Sequence, residues 1–426
     1  MCCGILDWNT QGGFKEMEIV ANKDVELFKI LKNESKREEN TLEMVASESI
    51  QPNEALYLAG SAFNNKTAVG RIGNQRLKGS IYADEVEKLC KDRVMQIFGA
   101  EHANVVTYSG SVANFCAYNA VLNPGDRVLA LDPVTGSHQS HGGKNNISSK
   151  LYSFKYFGLN EQTLDIDYEG ADRICKEFRP KLIVIGSAAY SRKIDYARLA
   201  DIAHKNGAFL MADIAHFSGL VAGGVSPDPV PYADIVTAST TKTMCGPHSG
   251  FIMCKKELAQ RVEDSVYPGY VASLHLQTIS AMAYAIGRAK SAEFVELMQK
   301  IVHNAKYMCL ALQKRGFDIF TGGTDCHMFL VDLRPFGIDG VTFADRLERA
   351  GINVNSKGIP FDDSVVARGI RAGTTVLTQR KMSEKEMDEI ADLFLMLAQK
   401  DGENRVEEAL NKVKALCEKF PIKDII

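Results

Sequence analysis

The sequence predicts an α/β fold in which a large domain built on a mostly parallel sheet precedes a smaller α+β domain. Three observations carry this. Between about residues 85 and 255, helical patterns alternate with the short apolar runs ANVVTYSG, RVLALD, KLIVIGSA, AFLMADIA, ADIVTAST and GFIMC. Runs that are apolar throughout mark strands covered on both faces. After a long helical stretch near 275–315 the pattern changes to separate strands, HMFLVDL, INVNS and GIRAG, followed by helices at 383–399 and 403–419. The chain of 426 residues, 45% of them hydrophobic, is long enough for two cores. The expected organisation is an arm over 1–40, a large domain over 41–295 and a small domain over 296–426.

The arm contains KDVELFKILKNESKREEN, a charged helical pattern of the kind that packs on a partner subunit. No stretch approaches a membrane span, and MCCGILDWNT lacks the basic and apolar regions of a signal peptide, so a cytoplasmic protein without membrane contact is expected. Ten cysteines with no CxxC pair and no metal-ligand spacing point to reduced thiols and no metal. The net charge of -3 gives no argument for nucleic acid.

Ligands of such sheets bind beyond the carboxyl ends of the strands. TYSGSVAN places Ser109, Gly110 and Ser111 between a strand and a helix beginning near Val112, a phosphate cradle of N–H groups and hydroxyls. DPVTGSHQSHGG places His138 and His141 in a loop. MADIAH leaves Asp213 and His216 at an apolar strand's end, where a carboxylate needs a partner. ADIVTASTTKTMCGPHSG ends an apolar strand on Lys242, among Thr240, Thr241 and Thr243 and ahead of the Gly246-Pro247 turn. On this stretch alone a snorkelling lysine competes with a functional one. Phosphate cradle, loop histidine, buried aspartate and strand-end lysine together read as a pyridoxal phosphate site of the aspartate aminotransferase type, with Lys242 carrying the Schiff base and Asp213 keeping the pyridine nitrogen protonated.

From LEMVASESI at residue 42 to the C-terminal FPI the chain resembles the serine hydroxymethyltransferases, most closely in FGAEHANVVTYSGSVAN, LMADIAHFSGLVAGG, TGGTDCHMFLVDL and GIRAGTTVLTQR. The resemblance implies a fold-type I pyridoxal phosphate enzyme, a homodimer or homotetramer with shared active sites. It also implies that His138 stacks on the cofactor, that His216 lies near its phenolic oxygen, that Ser109, Gly110, Ser111 and Thr240 contact it, and that Ser47 and Arg371 hold the substrate carboxylate. A guanidinium suits that last role because it pairs bidentately.

Departures from the family pattern cluster. Where the family reads approximately Tyr-Ala-Glu-Gly-Tyr-Pro-Gly-Lys-Arg-Tyr-Tyr-Gly-Gly, this chain has TAVGRIGNQRLKG, residues 67–79. Val69 stands for the glutamate assigned to proton work in folate chemistry, and Thr67, Arg76 and Leu77 stand for tyrosines. Pro133 and Gln139 replace leucines that sandwich the pteridine. Thr241, Ala188, Cys245, His248 and the pair Ala272-Ser273 also differ from the family residues.

The expected activity is therefore folate-independent aldol-type cleavage or formation of the Cα–Cβ bond of a β-hydroxy-α-amino acid, as in threonine aldolases and transaldolases. Its substrates would be an amino acid and an aldehyde, with tetrahydrofolate not expected as a cofactor. His138, or a water held by Thr67 or Ser47, would serve as base, and Arg76, if it faces the pocket, would select an anionic substrate. Residual folate-dependent hydroxymethyl transfer, a racemase or aminotransferase activity, and a non-catalytic regulatory relative remain as alternatives.

Overall fold

The computed structural model describes residues 23–362 and 364–422. The first 22 residues of the expected arm lie outside this range.

Seven strands form the central sheet: β1 (His102–Thr107), β2 (Arg127–Leu131), β3 (Ser153–Phe157), β4 (Leu182–Gly186), β5 (Phe209–Asp213), β6 (Ile235–Ser239) and β7 (Gly250–Cys254). Their order is β1-β7-β6-β5-β4-β2-β3, parallel except for β7, which runs antiparallel to both neighbours. Every residue of β4, β6 and β7 is buried, as unbroken apolar runs require.

The second sheet has four strands, β8 (Asp318–Ile319), β9 (Met328–Asp332), β10 (Asn355–Lys357) and β11 (Gly369–Gly373), in the order β8-β9-β11-β10. The run INVNS, expected as one strand, is divided. Ile352–Asn353 pairs with Leu42–Glu43, and only from Asn355 does the chain join β11. The helical stretch near 275–315 is likewise two helices, Leu276–Arg288 and Ala292–Lys314, broken at Ala289–Ser291, where Ser291 caps the second by accepting from Phe294 N–H at 3.2 Å. Each sheet has its own hydrophobic cluster.

Two anchors bring the chain ahead of the large sheet to the site. The guanidinium of Arg380, 2% exposed, donates to the carbonyls of Glu39, Thr41, Cys417 and Phe420. It thereby fastens α1 (Val25–Asn40) and the C-terminal helix Val406–Lys419 by their carbonyl ends, where a cation is favoured. Gln379 then holds both backbone groups of Ile50, at 2.8 and 2.7 Å, and Ser49 Oγ donates to the carbonyl of Thr241. Ser47 is thus fixed within two residues of a contact to the strand-end lysine segment.

Candidate active site

A cleft of about 180 Å³ opens at the carboxyl edge of the parallel strands, and it gathers residues from five strand ends. Ser109, Gly110 and Ser111 follow β1, His138 follows β2, Ala188 follows β4, Asp213 ends β5, and Ser239, Thr241 and Lys242 end or follow β6.

Ser109 is the N-cap of the 12-residue helix α2 (Gly110–Val121), accepting from Val112 N–H at 3.2 Å. The first N–H groups of a helix have no intrahelical partner, so its first turn faces the cleft with free donors and the positive end of the dipole. The helix begins at Gly110, two residues earlier than the sequence suggested.

Asp213 is buried, and both oxygens are occupied. Oδ1 accepts from Ala215 N–H at 2.8 Å, while Oδ2 accepts from Asn114 Nδ2 at 2.8 Å and His141 Nε2 at 3.1 Å. Burial alone pushes the carboxyl pKa up, but the hydrogen bonds and charge of His141, with Asn114, outweigh it and hold the group well below the ordinary carboxylate range. Gly186 makes this meeting possible. A Cβ there would lie 2.6 Å from Asp213 Cβ and 2.9 Å from His141 Cε1.

His138 has a fixed tautomer. Its Nδ1 accepts from Ser140 N–H at 3.2 Å and lies 2.7 Å from Ser140 Oγ, which itself accepts from Asn114 Nδ2 at 2.8 Å. The proton is thereby assigned to Nε2. Burial lowers the pKa of His138, so the ring is neutral at pH 7. Burial lowers that of His216 further, and its ring lies parallel to His327 with centroids 5.6 Å apart. His327 in turn donates Nε2–H to the carbonyl of Ala46, 3.1 Å away, beside Ser47.

Lys242 follows the strand by three residues, in a turn where Cys245 takes a left-handed φ of 54° and Gly246 N–H returns to Thr240 O at 2.8 Å. Burial weakens its hold on its proton, Asp213 opposes this and Arg371 adds to it. Arg371, on β11, crosses from the small sheet to donate to the carbonyl of Ala188 and to Asn355 Oδ1, the latter at 2.7 Å. Both acceptors are neutral, and no carboxylate among the described residues pairs with this half-buried guanidinium; burial moves its pKa down to about 10. An unpaired, partly buried cation at a cleft is what a carboxylate ligand requires.

Five expected residues are not among those lining this cleft: Ser47, Arg371, which meets its edge only through the Ala188 carbonyl, Thr240, Arg76 and Thr67. Thr240 is buried, with its hydroxyl donated to Pro247 O at 2.5 Å, so only its neighbours Ser239 and Thr241 line the site. Arg76 is exposed and lies over the ring of Tyr267, 5.9 Å from its centroid; the charge of its segment revealed nothing about which way the loop faces. Thr67 is exposed outside the cleft as well. Conversely, Asn114 and Ser140, which organise Asp213 and His138, were not singled out by the sequence. The available signal was an asparagine three residues after Ser111, on the face that α2 turns towards the sheet.

The donor set fits pyridoxal phosphate. The α2 N-terminus would hold the phosphate, Asp213 the ring nitrogen, His138 a ring face and Lys242 Nζ the aldehyde carbon. Among the described residues no three metal-binding side chains cluster and no helix is long and apolar enough to cross a membrane. A sequence model for one protein family, described as serine hydroxymethyltransferase, matches residues 20–394.

Proposed function

Because the chain belongs to the serine hydroxymethyltransferase family, whose members are fold-type I pyridoxal phosphate enzymes acting on amino acids, we propose that it makes or breaks the Cα–Cβ bond of a β-hydroxy-α-amino acid without tetrahydrofolate. One observation carries the departure from the family reaction. Asp213 is the only carboxylate among the described residues of one protomer that line the cleft, and three of its acceptor positions are taken by Ala215, Asn114 and His141, leaving room on Oδ1 for the cofactor's ring nitrogen alone. Val69, in the glutamate's sequence position, has no proton to move.

When bound, the cofactor supplies a carbonyl for the substrate amine and an electron-withdrawing ring that stabilises negative charge at Cα. The chain's residues do the rest. Arg371 would bind the α-carboxylate and so orient the substrate's Cα bonds. Asp213, held ionised, would keep a proton on the cofactor's ring nitrogen and so sustain its electron withdrawal. His138 would cover the ring but would not take the β-hydroxyl proton, since Ser140 occupies Nδ1 and leaves Nε2 as a donor. That proton would pass instead to water, which Ser47, outside the cleft lining but next to the Ala46 that His327 bonds, would help to hold.

A homodimer is also proposed. The apolar residues Val25, Leu27 and Ile30 of α1, together with Ile72, Ile81 and Tyr82 near the 67–79 segment, are exposed. A second copy would cover them, in keeping with a cytoplasmic enzyme that acts on small molecules.

The test is aldehyde release from L-threonine and longer β-hydroxy amino acids by the cofactor-loaded protein, with and without tetrahydrofolate. Release that ignores folate is expected; release that needs it restores hydroxymethyl transfer. Racemised amino acid or keto acid in place of aldehyde would assign the racemase or aminotransferase alternative.

A further inference from the structure

The small sheet presents two unlike faces. Phe329, Val331, Ile370 and Ala372 turn one face into the small core, whereas Met328 packs in the large core and Arg371 reaches Ala188, so the other face looks towards the cleft. Asn355 belongs to this second face, since its side-chain oxygen accepts from Arg371. Lys357 lies two residues further along β10, opposite Gly369 as Asn355 lies opposite Arg371, and therefore projects from the same face.

Lys357 is half-buried, and burial and the charge of Arg371 both weaken its hold on its proton, with no carboxylate acting on it. Two neighbouring cations on the cleft-facing surface thus lack counter-ions among the described residues, and one α-carboxylate satisfies only Arg371. Mutual repulsion and partial desolvation are costly arrangements to keep without an anion. Within one protomer Arg76 does not supply this charge, being exposed beside Tyr267.

We infer that Lys357 determines specificity by binding a second anionic group, a carboxylate or a phosphate, carried by the substrate pair in addition to the α-carboxylate held by Arg371. The inference rests on the amino-acid chemistry proposed above and names its substrate class. An ammonium suits the task because it takes an anion as a point charge, without the planar match a guanidinium demands.

The anion has two possible carriers, and two sets of measurements separate them. Calorimetric titration of cofactor-loaded wild type, Lys357→Met and Lys357→Gln with alanine, aspartate and O-phosphoserine reads an anion on the amino acid. The KM of benzaldehyde and of 4-carboxybenzaldehyde, with glycine, reads an anion on the aldehyde. In at least one set the preference for the anionic compound falls roughly tenfold or more in both variants, the size of a lost charge-assisted contact, and Lys357→Arg restores part of it. A change confined to the amino acids, or to the aldehydes, assigns the carrier. Unchanged preference in both sets, in variants that melt at the wild-type temperature, makes Lys357 a solvated lysine and overturns the inference. The calorimetric arm needs no turnover, so it fails separately from the folate-free reading, which falls only if aldehyde release requires tetrahydrofolate.

Discussion

Replacing Asn114 by alanine strikes the network that keeps Asp213 charged. Asn114 Nδ2 donates to Asp213 Oδ2 and to Ser140 Oγ, each at 2.8 Å, and its Oδ1 accepts from Thr237 Oγ1 at 2.6 Å. Asp213 is 7% exposed and Thr237 is fully buried, so bulk water replaces neither lost partner. A hydrogen bond to a charged group contributes about 1.5–3 kcal/mol, and a stranded buried hydroxyl costs about 1 kcal/mol or more. The expected loss of stability is therefore about 3 kcal/mol. The pH dependence moves as well. A carboxyl held below its unfolded value, near about 3.9, adds stability that is complete above that value and is lost as pH falls through the folded one. Without Asn114 the folded value rises, the contribution shrinks, and the acid limb of the stability curve shifts to higher pH. Urea titrations at several pH values read both effects. A loss below about 0.5 kcal/mol, the range of a neutral surface substitution, with an unmoved acid limb would refute the assignment of Asn114, beside His141, as a residue that holds Asp213 ionised.

Three further outcomes follow from the same geometry. Arg371→Lys keeps the charge but loses the bidentate fork, so KM for the amino acid should rise roughly tenfold to a hundredfold in steady-state assays, with a smaller change in kcat. His138, His216 and His327 all have pKa values lowered by burial, His327 to about 3. Each therefore contributes stability that is complete above the unfolded value near about 6.5 and declines as pH falls towards the folded one. The unfolding free energy should fall steadily below that pH, at up to roughly 1.4 kcal/mol per pH unit for each histidine, and a free energy flat from neutrality into acid would contradict the buried neutral state. Gly186→Ala forces a methyl between Asp213 and His141 and should cost about 1–3 kcal/mol in denaturant melts as overpacking does, while weakening retention of the cofactor measured by dialysis.

The residues legible in the sequence are those whose positions follow from strand ends. Asp213 and Lys242 terminate apolar runs, and Ser109 to Ser111 sit where a strand gives way to a helix, so one rule about parallel sheets brings them together before any coordinates. What escaped depends on tertiary direction. Asn114 reads as an ordinary helical residue until the packing of α2 aims its amide at Asp213. Arg76 reads as a candidate because loop charge carries no information about orientation. INVNS reads as one strand because alternation does not reveal that the chain changes partners between Asn353 and Asn355, and stopping at Ser356 hid Lys357.

Those two cations also show how specificity can shift within a preserved reaction centre. The groups that would hold the cofactor come from the large sheet, whereas Arg371 and Lys357 come from neighbouring strands of the small one. A change on β10 can thus alter which substrate is accepted without touching Asp213, His138 or Lys242. The structure has this division, with the cofactor cleft organised by the large sheet and Lys357 two residues from the Asn355 that accepts from Arg371 on the small one.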